Sequence, residues 1–516
     1  MVPIRIRRMP MKVHTFKSLL FRRFIVLLIL LVQVALIFFF ILNTSRYSIY
    51  FYYFLRAVSL LVALHTVSRP QESGYKLIWV FLILLFPVFG GLFYLIFNRQ
   101  ISSRRLSRRI LEIHEATRDR FLPRSCPPGS VAPADPRQVT YLQDHCWFPA
   151  YPDTRTVYLS PGEEYFAALL EELKKAEKYI FLEFFIISQG KMWEAVLSIL
   201  QEKVRQGVDV RVIYDDMGCL YGIPFRYYRQ INAMGIRCRS FNPFRPVLAA
   251  LQNNRDHRKI VSIDGKVAFT GGINLADEYI NAHERFGHWK DCGVMLEGPA
   301  AWSMTVMFLQ MWQLLNPGEE VDYLRYLPDA GFPPAQGLVQ PYSDSPMDPE
   351  RVSENLYLRM IYSARHSLEI NTPYLIIDDA LKTALKQAAK SGVDVSIITP
   401  QRWDKRIVHF TTRSYYPELL ESGVKIYEYK GGFNHSKTMC ADGKTAVIGT
   451  ANLDYRSLYL HFECGVYLEN TDAVRALHED FEKMLALSVP VRTGDIKSGF
   501  FRDLLRDICR LFAPVL

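Results

Sequence analysis

The sequence predicts an α/β protein in which N-terminal transmembrane helices precede two tandem α/β domains that share one functional site. Three observations predict this architecture. The first hundred residues hold most of the long apolar runs, the order of helix and strand patterns after residue 150 occurs twice, and each copy contains the same spaced trio of His, Lys and Asp. A chain of 516 residues is also too long for one ordinary hydrophobic core.

The first 109 residues are predicted to form a membrane anchor with two or three transmembrane helices. Residues 24–42 and 77–97 are uncharged apolar runs long enough to cross a bilayer, whereas residues 49–67 are interrupted by Arg56 and His65. Basic residues precede the first run and follow the last, and both flanks therefore favour the cytoplasmic side. That placement requires an even number of crossings, so either 49–67 does not fully cross or one flank violates the rule.

We expect a multi-pass protein of the plasma membrane whose α/β domains lie on the cytoplasmic side. The net charge of +10 suits an anionic partner, which can be membrane lipid, nucleic acid or a phosphate substrate. The 8 cysteines are scattered without a CxxC pair, so we expect reduced thiols rather than a disulfide framework or a zinc site.

After a linker at residues 110–150, the two domains are predicted at 151–335 and 336–492. Each contains a helix pattern, an apolar strand run, a second helix pattern and a second strand run, which is the order of a parallel sheet unit. The turn before the second strand is nearly identical in both, "QGVDVRVI" at 206–213 and "SGVDVSII" at 391–398. Such a turn is common alone, but repetition of the whole order indicates a tandem repeat.

The strongest repeat is a pair of segments, "HRKIVSIDGKVAFTGGINLADEY" from residue 257 and "HSKTMCADGKTAVIGTANLDYRS" from residue 435. A His and a Lys two residues apart on a strand point to the same face. The Asp-Gly pair predicts a hairpin turn, which gives the Asp a structural alternative. The candidate catalytic residues are His257, Lys259 and Asp264 in the first copy and His435, Lys437 and Asp442 in the second.

Four further side chains are expected near the paired histidines. The returning strand of each hairpin brings an asparagine, Asn274 or Asn452, back beside the His and Lys. The carboxylates before the shared "CGV" strand, Asp291 and Glu463, are better candidates than the motif aspartates for orienting the imidazoles. A surface ion pair is the alternative role for these two carboxylates.

These residue types suit phosphodiester chemistry. A neutral imidazole can attack phosphorus and an imidazolium can protonate a leaving oxygen, so two histidines can serve as nucleophile and as acid–base group. Lys and Asn side chains can stabilise the non-bridging oxygens as charge moves. Because the sequence has no cluster of metal ligands and no glycine-rich phosphate loop, we predict a reaction that needs neither a metal nor a cofactor.

The duplicated HxKxxxxD motif, followed by "GGIN" or "GTAN", resembles the phospholipase D superfamily. With "NNRDHRKIVSIDG", "GGINLADEY", "FNHSKTMCADGKTAVIGTANLDYRS" and the N-terminal spans, the chain is similar to bacterial cardiolipin synthases from about residue 50 onwards. The resemblance implies two tandem phospholipase D-like α/β domains with the active site at their interface. The span at 24–42 is then an addition to the shorter, two-span members of the family.

The resemblance also implies a reaction. A histidine attacks one phosphatidylglycerol, glycerol leaves, and a second phosphatidylglycerol takes the phosphatidyl group to give cardiolipin. His257 is then the nucleophile that carries a phosphohistidine, and His435 is the acid and base. The phosphate-binding residues are then Lys259, Lys437, Asn274 and Asn452, with a hydroxyl from Thr450 where the first copy has Gly272. The partners are then phosphatidylglycerol and anionic membrane lipid, and no nucleic acid is expected.

Other functions use the same residue types. A phospholipase D-type hydrolase or a different phosphatidyltransferase keeps the site and changes only the acceptor. A membrane-anchored nuclease also fits paired His and Lys, but much of the positive charge flanks the membrane runs. A membrane scaffold with a decayed site fits poorly because both trios are intact.

Residues 493–516 are predicted to form a C-terminal amphipathic helix. Such a helix either contacts the membrane surface or docks on the protein as an ordinary terminal helix. Its apolar face is formed by Phe500, Phe501, Leu504, Leu505, Ile508 and Phe512.

Overall fold

The computed structural model describes residues 46–69, 71–86, 90–91, 94, 101–121, 133–243, 253–328, 331–496 and 499–515. The chain divides into two compact units, the first formed by residues 1–101 with 244–253 and the second by residues 102–243 with 254–516. The predicted span at 24–42 lies outside the described residues, and the span at 77–97 lies only partly inside them.

The described part of the first unit contains the helices α1 (Arg46–Val67) and α2 (Ser73–Leu85). The carboxylate of Glu72 caps the start of α2 by accepting a hydrogen bond from the backbone N–H of Gly74 at 2.7 Å. Helix α1 covers the interrupted candidate span at 49–67. Among the described helices, none is both long enough and apolar enough to cross a membrane.

The second unit contains two lobes. The first lobe is preceded by the helices α3 (Ile101–Phe121) and α4 (Pro136–Thr140). Its elements are, in chain order, β1 (Arg155–Leu159), α5 (Gly162–Lys175), β2 (Tyr179–Phe184), α6 (Lys191–Arg205), β3 (Asp209–Asp215), α7 (Tyr228–Ala233), β4 (Arg237–Phe241), β5 (Arg255–Asp256), β6 (Lys259–Ile263), β7 (Val267–Gly271), β8 (His288–Lys290), β9 (Gly293–Glu297) and α8 (Ala301–Leu315).

The second lobe repeats this order. Its elements are, in chain order, β10 (Leu338–Asp344), α9 (Val352–Ser363), β11 (Ser367–Asn371), β12 (Leu375–Ile376), α10 (Asp379–Lys390), β13 (Asp394–Pro400), α11 (Arg406–Leu420), β14 (Lys425–Tyr429), β15 (Gly432–Asn434), β16 (Thr438–Ala441), β17 (Thr445–Gly449), β18 (Leu453–Asp454), α12 (Tyr455–Tyr459), β19 (His461–Glu469), α13 (Asp472–Ala486) and β20 (Ser488–Pro490). The C-terminal helix α14 (Phe500–Leu511) follows.

The two lobes carry the same sheet, which confirms the predicted repeat of one α/β fold. The first sheet has the strand order β1-β9-β7-β6-β2-β3-β4, and the second has the order β10-β19-β17-β16-β11-β13-β14-β20. Strands β2, β3 and β4 pair in parallel, as do β11, β13 and β14. The predicted hairpins are the antiparallel pairs β6–β7 and β16–β17. Each His-Lys-Asp trio therefore occupies the same place in its lobe.

Helix α8 joins the cores of the two lobes. It is buried along almost its whole length, and it contacts β2, β6 and β7 of its own lobe as well as β10 of the other. A helix that is apolar on all sides suits such a position because no face of it meets water. Helix α13 follows β19 as α8 follows β9, and it likewise contacts β1 of the opposite lobe. The lobes therefore pack as one body around their interface.

Candidate active site

Both motif histidines lie where the two lobes meet. Strand β5 ends one residue before His257 and pairs with the start of β19, whereas β15 ends one residue before His435 and pairs with β8. The backbone N–H of His257 donates to the carbonyl of Phe462 at 2.9 Å, and that of His435 donates to the carbonyl of Lys290 at 2.7 Å. Each histidine is therefore fixed at the interface by the opposite lobe.

Each imidazole is also oriented by a carboxylate from the opposite lobe. His257 Nδ1 lies 2.9 Å from both carboxylate oxygens of Glu463 in β19. His435 Nδ1 lies 2.6 Å from Oδ2 of Asp291, which lies between β8 and β9. Both carboxylates are fully buried. The structure thus places the two predicted orienting residues on the two histidines, but the pairing crosses between lobes, which the sequence does not indicate.

Burial keeps both imidazoles neutral near pH 7. It lowers the pKa of His257 to about 3, against the opposing effect of Glu463, and it lowers the pKa of His435 to about 4, with a further contribution from Lys437. Burial acts to raise the pKa of Glu463, but its contacts with His257 and a neighbouring histidine hold that pKa well below the usual value. The ionised carboxylate of Glu463 accepts a hydrogen bond from Nδ1–H of His257, and Nε2 of that imidazole keeps its lone pair.

The two motif lysines are buried in the same interface. Lys259 Nζ donates to the carbonyl of His257 at 2.6 Å, and Lys437 Nζ contacts the carbonyl of His435 and lies 2.7 Å from its Nδ1. Burial lowers the pKa of Lys259 to about 7, with a contribution from Lys437, and lowers the pKa of Lys437 to about 8. The carboxylates of Asp291 and Glu463 act against burial and raise the pKa values of both lysines. The two amines can donate hydrogen bonds to an anionic ligand such as a phosphodiester.

The amides of Asn274 and Asn452 are engaged to different extents. Asn274 accepts from the backbone N–H of Ile186 at 3.0 Å and donates to the hydroxyl of Tyr279 at 2.7 Å. Asn452 donates to Asp454 at 3.2 Å, and its buried Oδ1 has no hydrogen-bond partner within the described residues. Phosphate binding by these amides stays a prediction, and the bond from Asn274 to Tyr279 uses only one of the two N–H groups on its amide.

The two halves of the site differ at Thr450 and Gly272. Thr450 Oγ1 donates to Oε2 of Glu463 and accepts from the backbone N–H of Cys464 at 3.0 Å. A Cβ added at Gly272 would lie 2.1 Å from Oδ1 of Asp291, so a glycine at this position leaves space for the carboxylate of Asp291. In the structure the Thr450 hydroxyl therefore holds the carboxylate that orients His257, and phosphate binding by Thr450 stays a prediction.

The carboxylates of Asp264 and Asp442 are used in turns and not in the site. Asp264 accepts hydrogen bonds from the backbone N–H groups of residues 177–179, and Asp442 accepts from those of residues 365–367. Both aspartates have left-handed backbone conformations, with φ of 53° and 54°. Each ties its hairpin to the start of β2 or β11, which corrects their place among the catalytic candidates.

A third histidine, absent from the sequence-based candidates, borders the site. The ring of His461 lies 5.4 Å from the ring of His257, and its Nδ1 lies 3.7 Å from Oε1 of Glu463. Both ring nitrogens are buried and lack a hydrogen-bond partner in the part of the chain that the structure describes. At the matching position of the first lobe, Trp289 lies 5.0 Å from the ring of His435. Aligning "LHFECGV" with "GHWKDCGV" at the shared "CGV" places His461 opposite Trp289. This alignment is the feature of the sequence that indicates a position beside the histidine of the other lobe.

Among the residues that the structure describes, two groups of side chains have a spacing that a metal ion can use. Ligand atoms of His257, His461 and Glu463 lie within 4.8 Å of one another, as do those of Glu369, His478 and Glu482. In the first group, His257 and Glu463 already pair with each other. A reaction without a metal stays a prediction, and the chemistry below uses none.

A family model described as "Cardiolipin synthase, PLD-like domain" matches residues 169–312 and 357–485, which span most of both lobes. The chain belongs to this PLD-like cardiolipin synthase family. A second model, described as "Phospholipase_D-nuclease N-terminal", matches residues 57–99.

Two relatives and one solved structure match the chain over most of their own length. A cardiolipin synthase of Geobacillus thermodenitrificans is 37% identical over 452 residues, which are 86% of this chain and 90% of that protein. An uncharacterised protein of Streptococcus mutans is 42% identical over 458 residues, which are 88% of this chain and 99% of that protein. The phosphatidylserine synthase of Haemophilus influenzae shares the fold, with a TM-score of 0.54 and 14% identity over 70% of this chain and 93% of that structure.

In this member of the PLD-like cardiolipin synthase family, replacing His461 by phenylalanine is expected to lower kcat/KM by about tenfold, the value of one buried hydrogen bond. The reason is that a bound substrate or water loses the partner offered by the two unsatisfied ring nitrogens. His461→Asn keeps polar groups in place and should retain more activity than His461→Phe. Loss of activity in His461→Asn but not in His461→Phe would show that only the volume of the ring matters.

Proposed function

We propose that the chain is a cardiolipin synthase, which moves a phosphatidyl group from one phosphatidylglycerol to a glycerol hydroxyl of a second and releases glycerol. The observation that carries the proposal is the pair of cross-lobe contacts, His257 with Glu463 and His435 with Asp291, in a chain of this family. Two neutral imidazoles and two buried lysines at one interface suit transfer between phosphodiesters.

His257 is the nucleophile in this proposal. Its Nδ1 lies between the two carboxylate oxygens of Glu463, whereas Nδ1 of His435 also lies 2.7 Å from the amine of Lys437. The tautomer with its proton on Nδ1 and a lone pair on Nε2 is therefore more strongly favoured at His257 than at His435. Nε2 attacks the phosphorus, the bond from phosphorus to the glycerol oxygen breaks, and that oxygen takes a proton from His435.

His435 acts first as the acid and then as the base. The charge of the bound phosphodiester offsets the effect of Lys437 on His435, so the pKa of His435 rises when substrate is in place. A glycerol hydroxyl of the second phosphatidylglycerol then gives its proton to His435 and attacks the phosphorus. The electron pair of the breaking P–N bond returns to Nε2 of His257. One phosphodiester replaces another, so no nucleotide is consumed.

The N-terminal apolar runs form the membrane anchor in this proposal. Residues 24–42 and 77–97 cross the plasma membrane, and the catalytic lobes lie on its cytoplasmic side. The lipid substrate and the N-terminal family match at residues 57–99 support the anchor. Anchoring raises the local concentration of the lipid acceptor, and exclusion of water from the intermediate favours transfer over hydrolysis.

The pKa values of the two lysines predict an alkaline limit to activity. Lys259 and Lys437, with pKa values of about 7 and about 8, are charged below these values and neutral above them. Since the neutral amines bind phosphate weakly, kcat/KM for phosphatidylglycerol is expected to fall as pH rises through about 7 to 8. Initial rates at low substrate concentration measure this limb. Lys259→Arg removes the lower of the two pKa values and keeps the charge, so it should move the limb upward, and an unchanged limb in that variant would exclude Lys259 as its source.

Phosphatidylglycerol vesicles labelled in the terminal glycerol test the function directly. The full-length protein is expected to release glycerol and to form cardiolipin in equal amounts, with or without a chelator. His366→Ala provides a matched control, because His366 is exposed and precedes β11 outside the candidate site. His257→Ala and His435→Ala should both lose the reaction.

Other products would overturn the proposal. Phosphatidic acid without cardiolipin would identify a hydrolase, and a product formed only with an added alcohol would identify a different phosphatidyltransferase. Cleavage of nucleic acid with no change in the lipid would identify a nuclease.

A further inference from the structure

We propose that helix α14 lies flat on an anionic bilayer, with its apolar face in the lipid, and so docks the catalytic lobes on the membrane that supplies their substrate. This inference rests on the proposed function, since it takes the substrate to be a membrane lipid. It goes further by assigning a second membrane contact, separate from the N-terminal anchor, to a specific face of the C-terminal helix.

The apolar face of α14 points away from the protein. Five of its apolar side chains are 45–83% exposed, namely Phe500, Phe501, Leu504, Leu505 and Ile508. Phe512, predicted on the same face, is half-buried. Apolar side chains adjacent on one helix face form a patch that soluble surfaces rarely leave uncovered, and such patches mark interaction sites.

The polar side of α14 attaches it to the second lobe. The helix packs on α11, where the guanidinium of Arg510 lies 3.3 Å from the carboxylate of Glu418 and 5.0 Å above the ring of Tyr415. The turn that follows the helix buries Ala513 and Pro514. An amphipathic helix that packs on a soluble protein normally turns its apolar side inward. Here charged and aromatic partners hold the opposite orientation, so the exposed apolar face is a fixed feature of the fold.

The chemistry of the helix favours lipid as the occupant of this face. Adjacent phenylalanines at its start, and the exposed Arg502 beside them, suit a helix that lies in the bilayer interface. Phenyl rings enter the acyl boundary, while the side chain of Arg502 reaches the anionic headgroups. Phosphatidylglycerol carries such a headgroup, so substrate and docking surface have the same charge requirement.

The position of α14 fits delivery of lipid to the site. The turn after the helix contacts α12, and the carbonyl of Val515 accepts a hydrogen bond from Arg456 at 3.1 Å. Helix α12 directly follows β18, which begins one residue after Asn452. The docking helix is therefore tied to the segment that carries a predicted substrate-binding residue.

A double variant, Phe500→Ser with Phe501→Ser, tests the docking. Full-length protein is assayed on dioleoyl-phosphatidylglycerol vesicles and on dihexanoyl-phosphatidylglycerol below its micelle concentration. We expect the rate on vesicles to fall by about tenfold or more, because two phenyl rings no longer enter the bilayer, while the rate on dissolved lipid changes by less than about twofold. Leu487→Ser removes an apolar side chain that is 57% exposed and lies outside the helix, and it serves as the control.

A fluorescence measurement reads docking without activity. Phe501→Trp in proteoliposomes should show quenching by brominated phosphatidylglycerol above that of the unmodified chain, whose tryptophans give the background. Equal quenching, or equal rates of the double variant and the unmodified protein on vesicles, would overturn the docking. If the double variant loses its rate on both substrates, the two phenylalanines have a structural role and the docking proposal is overturned. A change of oligomeric mass in the double variant would also overturn it, because a second copy of the chain would then cover the apolar face. Absence of cardiolipin in the unmodified protein would contradict the proposed function alone, because the quenching still reads the helix.

Discussion

Replacing His257 by alanine will lower the rate of cardiolipin formation by about four orders of magnitude, the usual cost of deleting a catalytic nucleophile or its partner. The variant lacks the Nε2 lone pair that attacks phosphorus. Glu463 is also left without its partner at 2.9 Å, which makes the loss more severe. Product formation from labelled phosphatidylglycerol over several hours measures the residual rate.

A donor with a good leaving group separates the roles of the two histidines. Phosphatidyl-p-nitrophenol needs no proton on departure, so His435→Ala should release about one nitrophenol per chain in a burst and then stop. His257→Ala should give no burst, and His366→Ala should turn over normally. A burst in His257→Ala but not in His435→Ala would reverse the assignment of nucleophile and acid.

Replacing Glu463 by glutamine will lower kcat by about a thousandfold while the protein stays folded. Thr450 donates a hydrogen bond to Oε2 of Glu463, so the amide that replaces the carboxylate turns its oxygen toward Thr450 and its NH₂ toward His257. A donor facing Nδ1 places the imidazole proton on Nε2 and removes the nucleophilic lone pair. Loss of comparable size follows from the wrong tautomer in other imidazole–carboxylate pairs.

A Glu–His pair outside the site, in which the glutamate is buried and the histidine half-exposed, offers a control for Glu463→Gln. Glu369 Oε1 lies 2.7 Å from His478 Nδ1, and Glu369→Gln makes the same chemical change there. We expect that control to keep its kcat, and both variants to keep melting temperatures close to that of the unmodified protein. A kcat for Glu463→Gln within tenfold of the unmodified protein would show that His257 does not depend on this carboxylate.

The fold could be predicted from the sequence because each copy repeats strong local signals. The "VDVRVIYD" and "VDVSIITP" runs are too apolar to lie anywhere but in the buried part of a sheet, and they form β3 and β13. The Asp-Gly turns place β6 beside β7 and β16 beside β17 through short-range geometry alone. Such features depend on residues that are close in the sequence, so the local pattern is enough to predict them.

The pairing of the active site could not be predicted in the same way. His257 and Glu463 are separated by 206 positions and His435 and Asp291 by 144, so their contacts depend on how two similar lobes face each other. Either lobe could have oriented its own histidine without any change in the local pattern. His461 was missed for the same reason, because its significance comes from a ring in the opposite lobe.

The motif aspartates differ from the histidines, because they are repeated for a structural role in the hairpin. Asp264 and Asp442 hold three backbone N–H groups each, and any hairpin of this shape needs such a cap. The sequence likewise shows that Thr450 has a hydroxyl that could bind phosphate. It does not show the carboxylate of Glu463 that accepts a hydrogen bond from this hydroxyl.

The most direct test of one composite active site is to locate and count the phosphoryl groups on the enzyme during turnover. Full-length protein is mixed with phosphatidylglycerol labelled at phosphorus, quenched in denaturant at alkaline pH, digested and analysed by mass spectrometry. We predict a labelled phosphatidyl group held on His257 by an acid-labile P–N bond, at no more than one per chain, which disappears as cardiolipin forms during a chase with unlabelled lipid. Label on both His257 and His435, approaching two per chain, or cardiolipin formation with no labelled histidine, would contradict the account.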